Sequence, residues 1–250
     1  MIITSMIKME RRMYLKLVNK FKLLISVILI IIIIICSFIL VNKVNSYKKA
    51  KNTYKELLNI KNELNNKDQI LDSKLKAINK DYKMWLKVEG TSINYPVVQG
   101  VDNEYYLNHD FNNNINSSGS IFIDYKNDIK EDKNIIVYGH NMKNKTMFQP
   151  LINFKEKQFF EKNKYIILTV NNKEYKYEIF ASYLIDANVD ELKISFSSNE
   201  DFLNYIKKIK EKSLYNRNLN IKNDDKIITL STCSYETKST RIAVCGKLIK

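Results

Sequence analysis

Glycine and proline are scarce, 5 and 2 residues in a chain of 250. That excludes collagen-like chains and Pro/Gly-rich low-complexity chains. Three cysteines cannot build a disulfide framework. Two histidines cannot build a His-rich metal site, so any histidine with a chemical task is His109 or His140. No group of acidic residues brackets a loop as a cation site would, and neither metal nor cofactor is expected. What the chain has instead is 45% hydrophobic and 11% aromatic residues, a globular composition rather than a disordered one.

Basic residues outnumber acidic ones, 41 to 27, for a net charge of +14. The first 41 residues hold Lys8, Arg11, Arg12, Lys16, Lys20 and Lys22 against Glu10 alone, and the remainder keeps 35 basic and 26 acidic residues. The lysines are scattered among Asn and Ile, with no Arg-rich stripe interleaved with aromatics, so nucleic acid is not the expected partner. Attraction to an anionic envelope is a better use of this charge.

Residues 23–41 form an uncharged, mostly apolar run that includes six consecutive isoleucines at 30–35. At about 1.5 Å per residue such a helix is close to 30 Å long, enough for a bilayer core. The alternative is a cleaved signal peptide. The run exceeds the usual apolar segment of about 7–15 residues, and Asn42-Lys43-Val44-Asn45 offers no small-x-small cleavage site, so a retained anchor is expected. Lys43, Lys48, Lys49 and Lys51 follow the run, so lysine bias alone does not orient it.

Over 46–80, Tyr47, Ala50, Tyr54, Leu57, Leu64, Leu71, Leu75 and Ile78 recur at spacings of three and four, and no Gly or Pro lies between Asn42 and Glu89. Lys61 and Asp68 interrupt the stripe, which favours a helix broken near Asn65-Asn66 and packed on the next domain over a coiled-coil stalk. From Lys83 onward the texture becomes short β-like runs at 84–88, 93–98, 120–124, 134–139, 165–170, 174–185, 226–232 and 241–249. In the sixth, Tyr175, Tyr177, Ile179 and Ala181 share one face and Lys176, Glu178 and Phe180 the other. Asn171-Asn172 predicts a tight hairpin turn at positive φ. Helical pieces are expected at 103–107, 147–154, 155–163 and 198–213, the last with a Ser cap, Glu200 and Asp201 in its first turn, and an apolar face of Phe202, Tyr205, Ile206 and Ile209. The expected fold is mainly β with helices, a closed eight-stranded barrel preceded by a helical segment and one transmembrane helix.

Cys36 lies in the apolar run and Cys245 inside a strand, where a thiol packs. Cys233 ends a strand as the chain turns polar, the setting of a thiol that can react. If 226–232 and 241–249 pair as a hairpin, Cys233 faces Arg241. Cys245 then sits four residues further on, about 13 Å away and out of disulfide reach. His140 also ends a strand, after Gly139. A lone histidine is commonly structural, and His109 reads as surface or loop packing. Thiol, imidazole and guanidinium together form a coherent set: the imidazole moves the proton, the thiolate attacks, and the guanidinium holds developing negative charge.

These residues resemble the sortase family. Thr229-Leu230-Ser231-Thr232-Cys233 with Arg241, and Tyr138-Gly139-His140 upstream, are similar to its catalytic motifs. Asn94-Tyr95-Pro96-Val97-Val98-Gln99-Gly100, Gly119-Ser120-Ile121-Phe122-Ile123-Asp124, Thr146-Met147-Phe148 and the helix before the Cys strand favour its class B branch. The resemblance covers about 82–250. It implies a cysteine transpeptidase, with Cys233, His140 and Arg241 catalytic. Asn103 and Leu107, by position, and Ser231, two residues before the Cys on the same strand face, would contact the sorting peptide. The segment 184–192 corresponds to a substrate-facing loop with no residue carried over. The implied partners are a surface protein bearing a sorting signal, the amine of a peptidoglycan precursor, and the membrane. Sortases are tethered with the enzyme outside, which sets the expected order: 1–22 cytoplasmic tail, 23–41 anchor, 42–81 extracellular helical stalk packing on the barrel, 82–250 catalytic barrel. No carboxylate is placed to orient His140, and Glu236 reads as a solvated loop residue. A pilin-polymerising sortase remains an alternative, without an Asp-Pro-type lid to support it. A membrane-anchored binding barrel with an inert Cys233 is the alternative from another class. Papain-like enzymes put Cys before His at a helix start, and L,D-transpeptidases use Ser-x-Gly-Cys-x-Arg; neither order fits.

Overall fold

The computed structural model describes residues 2–64, 70–186, 188–233 and 240–249. Two units are distinguished, Met1–Lys48 and Lys49–Lys250. The first is helical throughout its described part. It belongs to α1 (Ile2–Leu64), and its isoleucines at 30–35 are each about half exposed or more. This helix is long and apolar enough to cross a membrane.

In the second unit the end of α1 and α2 (Ile70–Ile78) carry the three-and-four stripe. Ala50, Tyr54, Leu57, Leu71 and Leu75 are buried, whereas Ile78 is 41% exposed. Lys61 interrupts the stripe without breaking the packing, because its ammonium sits 4.8 Å from the centroid of the Trp85 ring. Asp68 and the Asn65-Asn66 break lie outside the described residues. Buried Asp72 is satisfied by the Tyr82 hydroxyl at 2.9 Å and the Asn171 amide at 2.5 Å, which ties α2 to the barrel.

The barrel strands are β1 (Tyr82–Val88), β2 (Asn94–Val98), β3 (Ile121–Ile123), β4 (Asn134–Tyr138), β5 (Tyr165–Val170), β6 (Lys173–Asp186), β8 (Ile227–Cys233) and β9 (Thr240–Leu248). They run in the order β5-β1-β2-β3-β4-β8-β9-β6 and close through β5–β6, so eight strands form the expected barrel. Pairs β2–β3 and β4–β8 are parallel and the rest antiparallel. The two-residue β7 (Tyr215–Asn216) hangs on β6 and was too short to carry a sequence signal. The β5–β6 turn has Asn171 and Asn172 at φ 47° and 60°, the positive pair a two-residue hairpin needs.

The hairpin expected near the C-terminus has the expected register: Cys233 pairs with Arg241 and Thr229 with Cys245. Ser198 caps α4 (Asn199–Lys212), its hydroxyl accepting from the Asp201 amide. The helix lays Phe202, Ile206 and Ile209 over Phe180, Tyr183, Ile185, Ile227, Ala243 and Cys245. Phe180 therefore lies under a helix rather than in solvent, and a register shift at Ile179/Ala181 marks where β6 becomes buried on both faces. The helical stretch expected from 147 starts later, as a 3-10 turn at Gln149–Lys155, because Met147 holds φ 56°.

One side chain that no sequence pattern singles out closes this side of the barrel. Arg217 Nη1 donates to the Ile179 carbonyl at 2.5 Å, and Nη2 to the carbonyls of Phe160, Glu161 and Asn163 at the end of α3 (Lys157–Lys162). Its guanidinium also stacks 4.4 Å from the Phe160 centroid. Arg217→Ala leaves those helix-end carbonyls without a charged donor, and the expected cost is about 2 kcal/mol. Urea unfolding of residues 42–250 checks this, through a lower midpoint at unchanged slope.

Candidate active site

The candidate site lies where β4, β8 and β9 run side by side. Tyr138 ends β4 opposite Ser231 of β8, and Cys233 ends β8 opposite Arg241 of β9. Chain reversal after β4 and β9 entry thus bring His140 and Arg241 to one end of the barrel wall. Both line a cavity of about 370 Å³ together with Asn103, Leu107, Tyr138 and Ser231. Of the six predicted site residues, the structure brings five side chains to this one cavity. The sixth, the Cys233 side chain, lies outside the described residues, as does Glu236. The Cys233 backbone is placed by its pairing with Arg241.

His140 is oriented by a main-chain group rather than a carboxylate. Its Nε2 lies 2.6 Å from the Leu107 carbonyl oxygen. A carbonyl can only accept, so Nε2 carries the hydrogen and Nδ1 is the basic nitrogen of the neutral ring. Sequence reasoning looked for an acid here and missed the acceptor, since a backbone carbonyl has no residue signature. Leu107 itself is 40% exposed in the groove. His109 behaves as expected of a packing residue: its ring stacks on Tyr105 at 4.0 Å and Nδ1 bonds the Tyr105 carbonyl.

Asp124, legible beforehand only as part of a motif, joins two residues that line the cavity. It is buried, and Oδ2 accepts from Asn103 Nδ2 at 3.0 Å and from the Tyr138 hydroxyl at 3.1 Å. Asn103 Oδ1 in turn accepts from the Tyr125 amide, so the amide side chain is held at both ends. Burial, and then the neighbouring Asp124, push the Tyr138 phenol well above its ordinary range, which keeps it a neutral donor, although Arg241 pulls the other way.

Ser231 is 1% exposed, and its hydroxyl oxygen has no hydrogen-bond partner among the described residues. A buried, unpaired hydroxyl costs about 1–3 kcal/mol, and this one borders the cavity. Beyond Tyr138 and Arg241 a second cavity of about 540 Å³ continues past Asp124, Ile185 and the 190–195 segment. The two share Tyr138 and Arg241 as a common wall. The anticipated substrate-facing loop therefore lines this neighbouring space through Asp190, Glu191 and Leu192, while Ala187 lies outside the described residues. Among the described residues no group of three or more His, Cys, Asp or Glu could hold a metal ion. Cys245 is free and buried, its thiol 3.4 Å from the Thr229 hydroxyl, and burial pushes its pKa up to about 12.

Comparison with known proteins gives the geometry a family. The family model of the sortase domain matches residues 86–249. Sortase B of Staphylococcus aureus is 33% identical over 246 residues, covering 93% of this chain and 98% of that protein. The X-ray structure of Clostridium perfringens sortase B superposes with a TM-score of 0.70 at 46% identity, covering 72% of this chain and all of that one. The Staphylococcus aureus sortase B–substrate complex gives 0.74 at 33%, over 81% and 97%. Strand order, barrel closure and sequence thus agree, and this chain belongs to the sortase family, in its class B branch of cysteine transpeptidases.

Proposed function

We propose that this sortase cleaves a C-terminal sorting signal after Thr and transfers the severed protein to an amine of a cell-wall precursor. Cys233 gives its thiol proton to Nδ1 of His140, and the thiolate attacks the Thr carbonyl carbon. The tetrahedral intermediate collapses with loss of the amine, which takes a proton from His140, and a Cys233 thioester remains. The incoming amine attacks that thioester, gives its proton to His140, and the Cys233 sulfur leaves as the new amide forms. Arg241 holds the oxyanion or the peptide backbone by its fixed fork of N–H donors.

The observation that carries this reading is the single cavity shared by His140 and Arg241, with Arg241 paired across from Cys233. Asn103, Leu107 and Ser231 are assigned to the sorting peptide. The unpaired Ser231 hydroxyl is a waiting donor or acceptor for a peptide group, and the fixed Asn103 amide gives the groove a rigid polar wall. That the Staphylococcus aureus relative was solved as a substrate complex supports a substrate-binding role for this chain.

Residues 23–41 are assigned to the membrane, 1–22 to the cytoplasm, 42–81 to an extracellular helical stalk and 82–250 to the catalytic barrel. Holding enzyme and substrate in one membrane raises their effective concentration, so a slow chemical step suffices.

The test is incubation of residues 42–250 with a small library of quenched sorting peptides and an amine acceptor, followed by mass spectrometry. Cleavage after Thr with a thioester-linked mass on Cys233 is expected. Cleavage at another bond, or undiminished cleavage by Cys233→Ala, overturns the reading.

A further inference from the structure

Two tyrosines remote from the reacting groups connect to the surroundings of His140 by two routes. Tyr54 lies on α1, before the segment matched by the sortase domain, and is 8% exposed. Its hydroxyl donates to the Gly119 carbonyl at 2.8 Å and lies 3.3 Å from Ser120 Oγ. Gly119 and Ser120 form the shelf under the His140 acceptor. The Ser120 amide donates to the Tyr106 carbonyl at 2.9 Å, and Ser120 Oγ to the His109 carbonyl at 2.9 Å. Gly119, at φ +57°, approaches so closely that a Cβ there would fall 2.7 Å from the Leu107 oxygen, the atom that holds His140 Nε2.

The second route runs through Tyr95. The Tyr54 and Tyr95 rings meet edge to face, centroids 5.3 Å apart at 84°. Tyr95 Oη accepts from the Met147 amide at 3.1 Å. Met147 has φ 56°, a conformation a Met side chain disfavours, and it bridges back to Asn141. The next amide, Phe148, donates to the His140 carbonyl at 2.9 Å. The loop that leaves His140 is therefore closed on His140 itself, and Tyr95 holds its strained corner.

We propose that Tyr54 and Tyr95 are positioning residues for the transpeptidation: together they fix the Leu107 carbonyl and the His140 loop relative to one another, so that the α1 segment carrying Tyr54 is part of the machinery that sets the imidazole. The inference rests on the acid–base role proposed for His140. A helix that merely covers apolar surface needs no buried hydroxyl on Gly119 and no phenol on an amide at positive φ. The shift of an acceptor by a fraction of an ångström is enough to misalign a proton-transfer group and slow the chemical step.

Full-length protein in detergent micelles is the material for the test, with Tyr54→Phe and Tyr95→Phe, each of which removes one hydroxyl and keeps the ring. The expected result for each is a fall in kcat of about tenfold with KM within about twofold of wild type. Labelling with [15N]histidine gives a readout that simple stability does not move, because the chain has only two histidines. His140 is expected as the Nε2–H tautomer in wild type, with that population reduced in Tyr54→Phe. His109, bonded through Nδ1, marks the opposite tautomer. Wild-type kcat and an unchanged His140 spectrum in both variants overturn the inference. So does a kcat loss that disappears once activity is normalised to the folded fraction from thermal melts. If His140→Ala retains wild-type kcat, it is the catalytic reading of His140 that fails, not the brace.

Discussion

Cys233→Ala is expected to leave a folded protein that binds sorting peptide and turns none of it over, a loss on the order of 10⁴-fold or more, to the floor of the assay. The expectation follows from where the remaining thiols are. Cys245 faces Thr229 under α4, is fully buried, and has its pKa pushed up to about 12, so at neutral pH it supplies almost no thiolate and no path to peptide. Cys36 sits in the apolar run of α1. Neither remaining thiol can stand in. Folding should be spared, because the residue ends its strand and its partner contact with Arg241 is a backbone pairing. The check has three arms: turnover of a quenched peptide, thermal melting, and alkylation by a thiol probe at neutral pH. Labelling is lost in Cys233→Ala and kept in Cys245→Ala. A Cys233→Ala protein that still performs its task in the envelope would return the chain to the class of inert binding barrels.

What could be read without coordinates was what repeats or alternates. The β8–β9 register follows from two apolar runs separated by a short polar stretch of sequence, and it placed Cys233 across from Arg241. Asn171-Asn172 announced a turn because Asn tolerates positive φ. Ser198, with acids behind it and lysines at the far end, announced α4. The rest depends on groups distant in sequence. The parallel β4–β8 pairing, which carries His140 to the Cys strand, joins residues about ninety apart and has no local signature. The Leu107 carbonyl, the Arg217 clamp and the Tyr54 shelf are all bonds to main-chain oxygens, which any residue provides. Asp124 stood inside a quoted motif, yet its work on Asn103 and Tyr138 exists only once β3 and β4 are neighbours.

The second large effect is expected at His140. With His140→Ala, cleavage of an amide-linked sorting peptide should fall about 10³-fold, within the range assigned to a positioned acid–base group. The loss should depend on the leaving group. Expulsion of an amine requires a proton, and in the proposed mechanism His140 gives it; a thiolate leaves without one. A substrate with a thioester in place of the scissile amide therefore bypasses the acid half of the task and leaves only the base half, the generation of the Cys233 thiolate. The variant should recover about tenfold or more on the thioester relative to its deficit on the amide. Raising the pH, which ionises Cys233 without help, should narrow the thioester deficit further and leave the amide deficit nearly untouched. Equal losses on both substrates at every pH would mean that the ring held by the Leu107 carbonyl acts on the thiol alone, and that the amine finds its proton elsewhere, with solvent in the shared cavity as the available source.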